Sequence, residues 1–151
     1  MKLKLNGEFL VRHLFVTVLM AALGGWFAYD GFVKYPATPA AELYEVIEGS
    51  APGEGVDLEK FKKQKIQTQM GFTLLAFLAS FAVGGHLFAV SRFDFEFDDK
   101  GYTFRGKRCS YSDVVNVDRS LWEKKGIIVV NGIKLDSWHH IGVKEFEKLV
   151  S

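Results

Sequence analysis

The sequence predicts an α+β membrane protein, in which a two-helix transmembrane hairpin is followed by a small antiparallel β-sheet and a C-terminal amphipathic helix. Residues 70–90 contain no Asp, Glu, Lys or Arg, and a run of about 20 apolar residues is long enough to cross a bilayer. Residues 10–29 form a second long apolar segment near the N-terminus, with Arg12 at its start. After residue 91 the apolar residues alternate with polar ones, which is typical of strands. We therefore predict a hairpin in residues 1–90 and a sheet domain in residues 91–151.

The first apolar segment is predicted to be a retained membrane anchor. Lys2 and Lys4 before it and Arg12 at its start resemble the charged beginning of a signal peptide. However, the segment is longer than the apolar region of a signal peptide, and it ends in the bulky residues 26–30 instead of a small-residue cleavage site.

Small residues recur at every fourth position in both predicted spans. We expect these stripes to form the contact between the helices, because membrane helices associate by close backbone approach. An antiparallel pairing with Ala21 beside Ser80 matches the stripes along their length and brings Gly25 opposite Ala76. The predicted helix-packing residues are Thr17, Ala21, Gly25, Ala76, Ser80 and Gly84.

The connecting segment, residues 36–69, is predicted to be mostly helical. Thr38 is expected to cap a first helix that Gly49 ends, and Asp57 is expected to cap a second helix that continues into the second span.

Charge and cysteine content indicate where the chain resides. Basic residues are slightly more frequent beside the two termini than in the connecting segment, which favours cytoplasmic termini in an inner or plasma membrane. The lone thiol of Cys109 agrees with a reducing compartment. With 19 Lys and Arg against 18 Asp and Glu, no broad basic face is expected for nucleic acid.

The C-terminal region has strand, turn and helix signals in succession. Phe93, Phe95 and Phe97 alternate with charged residues and predict a strand, and a turn is expected at Gly106-Lys107. The dipeptide Asn131-Gly132 between β-branched runs is the strongest hairpin signal in the chain. At the end, apolar residues at helical spacing predict an amphipathic helix over residues 143–150.

Short sequence steps in this region carry a resemblance to a known family. They are Lys100-Gly101-Tyr102, Tyr111-Ser112-Asp113-Val114, Trp122, Lys125-Gly126-Ile127 and Leu135-Asp136-Ser137-Trp138. Their order resembles the bacterial pleckstrin-homology-like (PH-like) domains that occur beside paired membrane spans. The resemblance covers about a third of the chain. It implies a bent antiparallel sheet capped by a C-terminal helix.

The resemblance and the small size of the domain favour a membrane-anchored binding or scaffolding module at the cytoplasmic face, without catalysis. A small accessory subunit of a larger membrane complex is one alternative. A metal- or thiol-dependent membrane enzyme is another. The expected partner is a protein or a second copy of the chain, with anionic lipid headgroups as a further candidate.

The candidate ligand-binding residues are basic side chains at turns of the sheet: Arg105, Lys107, Arg108, Lys124 and Lys125. Their ordinary interpretation is that they keep the sheet edge soluble. Trp122 is a candidate partner contact or a core residue, and Trp138 is expected in the core.

No cofactor and no metal are expected. His139 and His140 are adjacent on a predicted strand and would point to opposite faces. His13 and His86, near one end of the two spans, are expected to be interfacial polar groups. Cys109 is expected to act as a small apolar side chain.

Overall fold

The computed structural model describes residues 1–150, in which helices and small antiparallel sheets form two compact units. One unit consists of Met1–His13 together with the chain from His86 onward, and the other consists of Leu14–Gly85. The two long helices begin in one unit and continue into the other.

The helices of the Leu14–Gly85 unit follow one another with short breaks. They are α1 (Gly7–Tyr29), which continues through a π-helical turn (Asp30–Lys34) into α2 (Tyr35–Ala37), then α3 (Ala40–Glu48) and α4 (Leu58–Ser91). Two continuous helical stretches, Gly7–Ala37 and Leu58–Ser91, are long and apolar enough to cross a membrane.

Close contacts join α1 and α4 through small residues. The Ser80 hydroxyl donates to the Thr17 carbonyl at 3.0 Å, and Ala76 and Ser80 are each 8% exposed. Gly84 lies so close to Thr17 that a Cβ on it would come within 3.2 Å of the threonine methyl. A hydroxyl that satisfies a carbonyl between two apolar helices helps to set their register.

The predicted place of Gly25 in this contact is wrong, because Gly25 is exposed with no neighbour within 4 Å of a Cβ placed on it. Its neighbour Gly24 lies against the ring of Phe77, where an added Cβ would come within 3.2 Å. The physical reason is the pitch of the helix. A stripe at every fourth residue drifts by about 40° a step, so the contact face reaches position 24 instead of 25.

An acidic side chain is buried at the end of the first apolar helix. Asp30, in the π-helical turn, is 7% exposed. It accepts a hydrogen bond from Trp26 Nε1 at 3.1 Å and lies 3.9 Å from Lys34 Nζ. These partners compensate the cost of burying its charge.

The connecting segment is helical, with different capping at its two helices. Thr38 was expected to cap α3, but its hydroxyl donates to the Lys34 carbonyl at 2.8 Å instead. Asp57 accepts from the Lys60 backbone N–H at 3.0 Å. This bond satisfies one of the free N–H groups in the first turn of α4.

The other unit contains all of the strands and the two last helices. In chain order the elements are β1 (Lys4–Leu5), β2 (Phe95–Phe97), β3 (Gly101–Phe104), β4 (Lys107–Ser110), β5 (Val117–Asp118), α5 (Trp122–Lys125), β6 (Ile127–Val130), β7 (Ile133–Asp136), β8 (His140–Ile141) and α6 (Val143–Leu149). Three antiparallel sheets are formed by β2-β3-β4, by β5-β6-β7 and by β1-β8.

Two tight turns connect the longest hairpins. Asn131 and Gly132 have φ values of 47° and 81°, which is the type I′ geometry that this dipeptide favours. Arg105 and Gly106 form the equivalent turn between β3 and β4, with φ values of 49° and 77°. This turn begins one residue before its predicted position.

Helix α6 covers the apolar faces of the strands. Phe146 is 0% exposed, and its ring centroid lies 4.9 Å from that of Phe95 and 5.7 Å from that of Tyr102. The remaining fully buried side chains of this core come from β6, β7 and α6: Ile128, Val130, Leu135 and Val143. The core of the unit is therefore a layer between the strands and one short helix.

The N-terminal residues belong to this core, which the sequence did not reveal. Leu3 is 4% exposed, and its N–H donates to the Phe95 carbonyl at 3.0 Å. Strand β1 pairs with β8, at the far end of the chain. The predicted domain boundary at residue 91 leaves this strand out, because two residues are too few to give a recognisable alternation.

Candidate binding groove

The predicted basic residues lie in two separate parts of the first unit. Arg105, Lys107 and Arg108 belong to the β3–β4 hairpin, whereas Lys124 and Lys125 end α5, which leads into the other three-stranded sheet. The structure thus divides the predicted ligand-binding residues between the β3–β4 hairpin and the end of α5.

Two of the three basic residues of the β3–β4 hairpin contact other side chains of the same chain. The Arg108 guanidinium pairs with Asp98 at 2.6 Å and lowers the pKa of that carboxyl to about 2. The Arg105 guanidinium lies 5.2 Å from the ring centroid of Phe104. These contacts account for both arginines without an external anion.

The α5 residues instead line an open groove of about 680 Å³. Its walls come from α5, from the turn after β7 and from α6: Trp122, Glu123, Lys125, Gly126, Ser137, Trp138, Lys144, Glu147 and Lys148. We call this the α5–α6 groove. Of the predicted site residues, it brings together Trp122 and Lys125.

Close backbone packing brings Gly126 and Ser137 together in the groove lining. Gly126 ends α5 in the left-handed region with a φ of 64°, and the Ser137 N–H donates to its carbonyl at 3.0 Å. A Cβ at position 126 would collide with the Ser137 hydroxyl. Both features favour glycine at this position, and α5 ends directly beside the turn that carries Trp138.

The two tryptophans of the groove differ in burial. Trp122 is half-buried and packs against the core. Trp138 was expected in the core, but it is 40% exposed. Its N–H donates to Asp136 Oδ1 at 2.8 Å in a tight turn, and the Arg12 guanidinium lies 5.5 Å from its ring centroid. The turn removes this indole from the alternation of β7, which explains the wrong prediction.

The charges that line the groove are predominantly positive. Lys125, Lys144 and Lys148 face two acids, and one of these, Glu147, is paired with Arg119 at 3.1 Å. Lys144 and Lys148 stand one turn apart on α6. Their helical spacing was visible in the sequence, but no local pattern indicated that α6 would meet α5 and the turn after β7.

Histidines and Phe9 form a second cluster, at the start of α1 and the end of α4. Phe9 is 1% exposed, and its ring centroid lies 3.9 Å from that of His13 and 4.6 Å from that of His139. His86 and His139 are 5.3 Å apart by the same measure. The pKa of His139 is lowered, mainly because its ring is partly buried. Within residues 1–150, no group of three or more His, Cys, Asp or Glu is arranged to hold a metal.

Cys109 packs beside the aromatic core. It is half-buried, and the Asn131 side-chain nitrogen lies 4.0 Å from its sulfur. The same nitrogen donates to the Tyr102 hydroxyl at 3.2 Å. These contacts are those of a packed side chain near a polar rim.

The chain was compared with known proteins by sequence and by structure. No protein-family profile, curated protein or solved structure matches it.

Proposed function

We propose that the protein is a membrane-anchored binding module, which holds a PH-like sheet domain at the cytoplasmic face and acts by binding a protein partner or a second copy of itself. The proposal assigns no catalytic step to the chain.

The two long helices support the membrane anchor. Only 11% and 17% of their most apolar windows are buried inside the structure, whereas the core helix of a soluble protein would be mostly buried. The exposed apolar side chains of these helices suit a hydrocarbon surrounding.

The order of the elements supports the PH-like part of the proposal. Two antiparallel three-stranded sheets are followed by a C-terminal helix that covers their core. Antiparallel strands covered by a C-terminal helix are the part of this arrangement that the resemblance also implies.

The observation that carries the proposal is the α5–α6 groove. It combines two indoles with several charged groups on an open surface, and tryptophan is among the residues that contribute most to protein interfaces. Its openness suits a partner's side chains better than a reaction that must exclude water.

The test is site-specific photocrosslinking of the full chain in native membranes. A photoreactive benzoylphenylalanine replaces Lys125 in the groove or, as a control, Lys100, which is exposed in the turn before β3. We expect a discrete crosslinked species only with the probe at position 125. No such species, or the same species from both positions, would refute the groove as the binding surface.

A further inference from the structure

We infer that the α5–α6 groove binds an acidic protein segment that carries an aromatic or apolar side chain. This inference rests on the proposed function and specifies the chemistry of the partner.

The positive charge of the groove supports an acidic ligand. Among residues 1–150, none of the ion pairs within 4.0 Å involves Lys125, Lys144 or Lys148. Lys144 and Lys148 are spaced i, i+4 on one helix, where like charges destabilise the helix. An anionic ligand beside them would remove this repulsion.

The acids of the groove leave this positive charge largely uncompensated. Glu147 is held by Arg119, which also donates to the Val150 carbonyl at 2.7 Å. Glu123 is the other acid in the lining. Three lysines and one acid of the lining thus form no ion pair within 4.0 Å among residues 1–150. This excess of positive charge favours a ligand with more than one negative charge.

The size and the lining of the groove support a ligand that carries an aromatic or apolar side chain. A volume of about 680 Å³ is in the range of sites that bury a molecule of many atoms, and is much larger than one phosphate needs. Trp122 and Trp138 both offer aromatic surface in the groove lining. An aromatic or apolar side chain can pack on these rings while neighbouring carboxylates reach the lysines.

The experiment selects peptides against the full chain in nanodiscs of neutral phosphatidylcholine. A displayed library of random heptapeptides is the probe, and empty nanodiscs serve for counter-selection. We expect the enriched peptides to be rich in Asp and Glu and to contain an aromatic or large apolar residue. A pool without acidic enrichment, or no enrichment over empty nanodiscs, would contradict the inference.

Two matched variants locate the binding. Lys125→Gln, Lys144→Gln and Lys148→Gln are combined in one, and Lys100→Gln, Arg105→Gln and Lys107→Gln in the other. Both lose the same charge from exposed positions. We expect the affinity for an enriched peptide to fall by about tenfold or more in the groove variant and to change less than about twofold in the control. Equal losses would mean a general charge effect and would overturn the assignment to the groove.

A further binding measurement distinguishes a protein segment from a lipid as the ligand of the groove. Nanodiscs that contain phosphatidylglycerol should leave peptide affinity nearly unchanged once ionic strength is matched. If phosphatidylglycerol abolishes peptide binding to the unmodified chain, the groove is a lipid site and the inference fails. A crosslink at position 125 without acidic preference would reject this chemistry but leave the binding module intact.

Discussion

Adjacent glycines in α1 differ in what surrounds them. Gly24 faces the ring of Phe77 on α4. A Cβ placed on Gly25 would have no neighbour within 4 Å. A large side chain at the first position has to displace an aromatic ring, whereas the second has open space. The repeat of small residues identified the contact face of the helix correctly at Thr17 but not at Gly25, about two turns further along α1.

Replacement of these glycines by leucine tests the contact. Gly24→Leu should lower the free energy of unfolding by about 1–3 kcal/mol, because it overpacks the interface with α4. Gly25→Leu is the matched control and should change it by less than about 0.5 kcal/mol. Denaturation of the full chain in mixed micelles measures both. A larger effect at position 25 would restore the register expected from the sequence.

Two adjacent histidines connect the folded state to pH. His140 is 6% exposed, and its Nε2 lies 3.1 Å from the Val90 carbonyl. His139 lies near His86 and 3.9 Å from Asp136. Burial lowers the pKa of both His139 and His140 below the ordinary value of 6.5.

The lowered pKa values predict a loss of stability in acid. The unfolded chain binds protons on these imidazoles more readily than the folded chain does, so stability is full above about pH 6.5 and falls as the pH drops through the lowered values. We expect the Tm of the full chain to decrease between pH 7 and pH 5. His139→Gln should flatten this decrease. An equal slope in the variant would exclude a role for this imidazole.

Strand β1, which has only two residues, joins the start of the chain to its C-terminal region. Strand β1 contributes only Lys4 and Leu5 to a ladder with β8, but it brings the buried side chain of Leu3 against the aromatic core. A fragment from residue 92 onward would lack this side chain and would leave the edge of β8 unpaired.

Leu3→Ala should destabilise the first unit by about 2–5 kcal/mol, since it removes a buried side chain and leaves a cavity. Lys4→Ala changes an exposed neighbour and should alter stability by less than about 0.5 kcal/mol. Hydrogen exchange of the amides of β6 and β7 measures the difference. Unchanged protection in Leu3→Ala would mean that the first residues contribute little to the core.

The elements that the sequence predicted are those with local signals. The hairpin at Asn131-Gly132 follows from backbone preference at two residues, and α6 follows from apolar spacing over two turns. The burial of Leu3, the exposure of Trp138 and the meeting of α5 with α6 depend on residues far apart in the chain. The candidate groove was therefore found only in part, through Trp122 and Lys125.

The proposed two-span anchor has a testable topology. Two variants are made in a Cys109→Ser background. One carries Glu54→Cys, in the exposed turn before α4, and the other carries Lys100→Cys. We expect a membrane-impermeant maleimide to label Glu54→Cys in intact cells and to label Lys100→Cys only after permeabilisation. The reverse pattern would invert the orientation, and equal labelling would contradict a hairpin.

The pairing of β1 with β8 also has a consequence for biosynthesis. Asn6 donates to the Trp138 carbonyl across 132 residues of chain, and at typical rates of synthesis the first of these groups waits about 10 s for the second. During this interval the ribosome produces both apolar helices. If the two helices span a membrane as proposed, the first unit can fold completely only after they have returned the chain to the side where residues 1–6 remained. A nascent chain in which one helix fails to insert would keep an unpaired β8 edge and an incomplete core, both of which are features that cellular proteases and chaperones recognise.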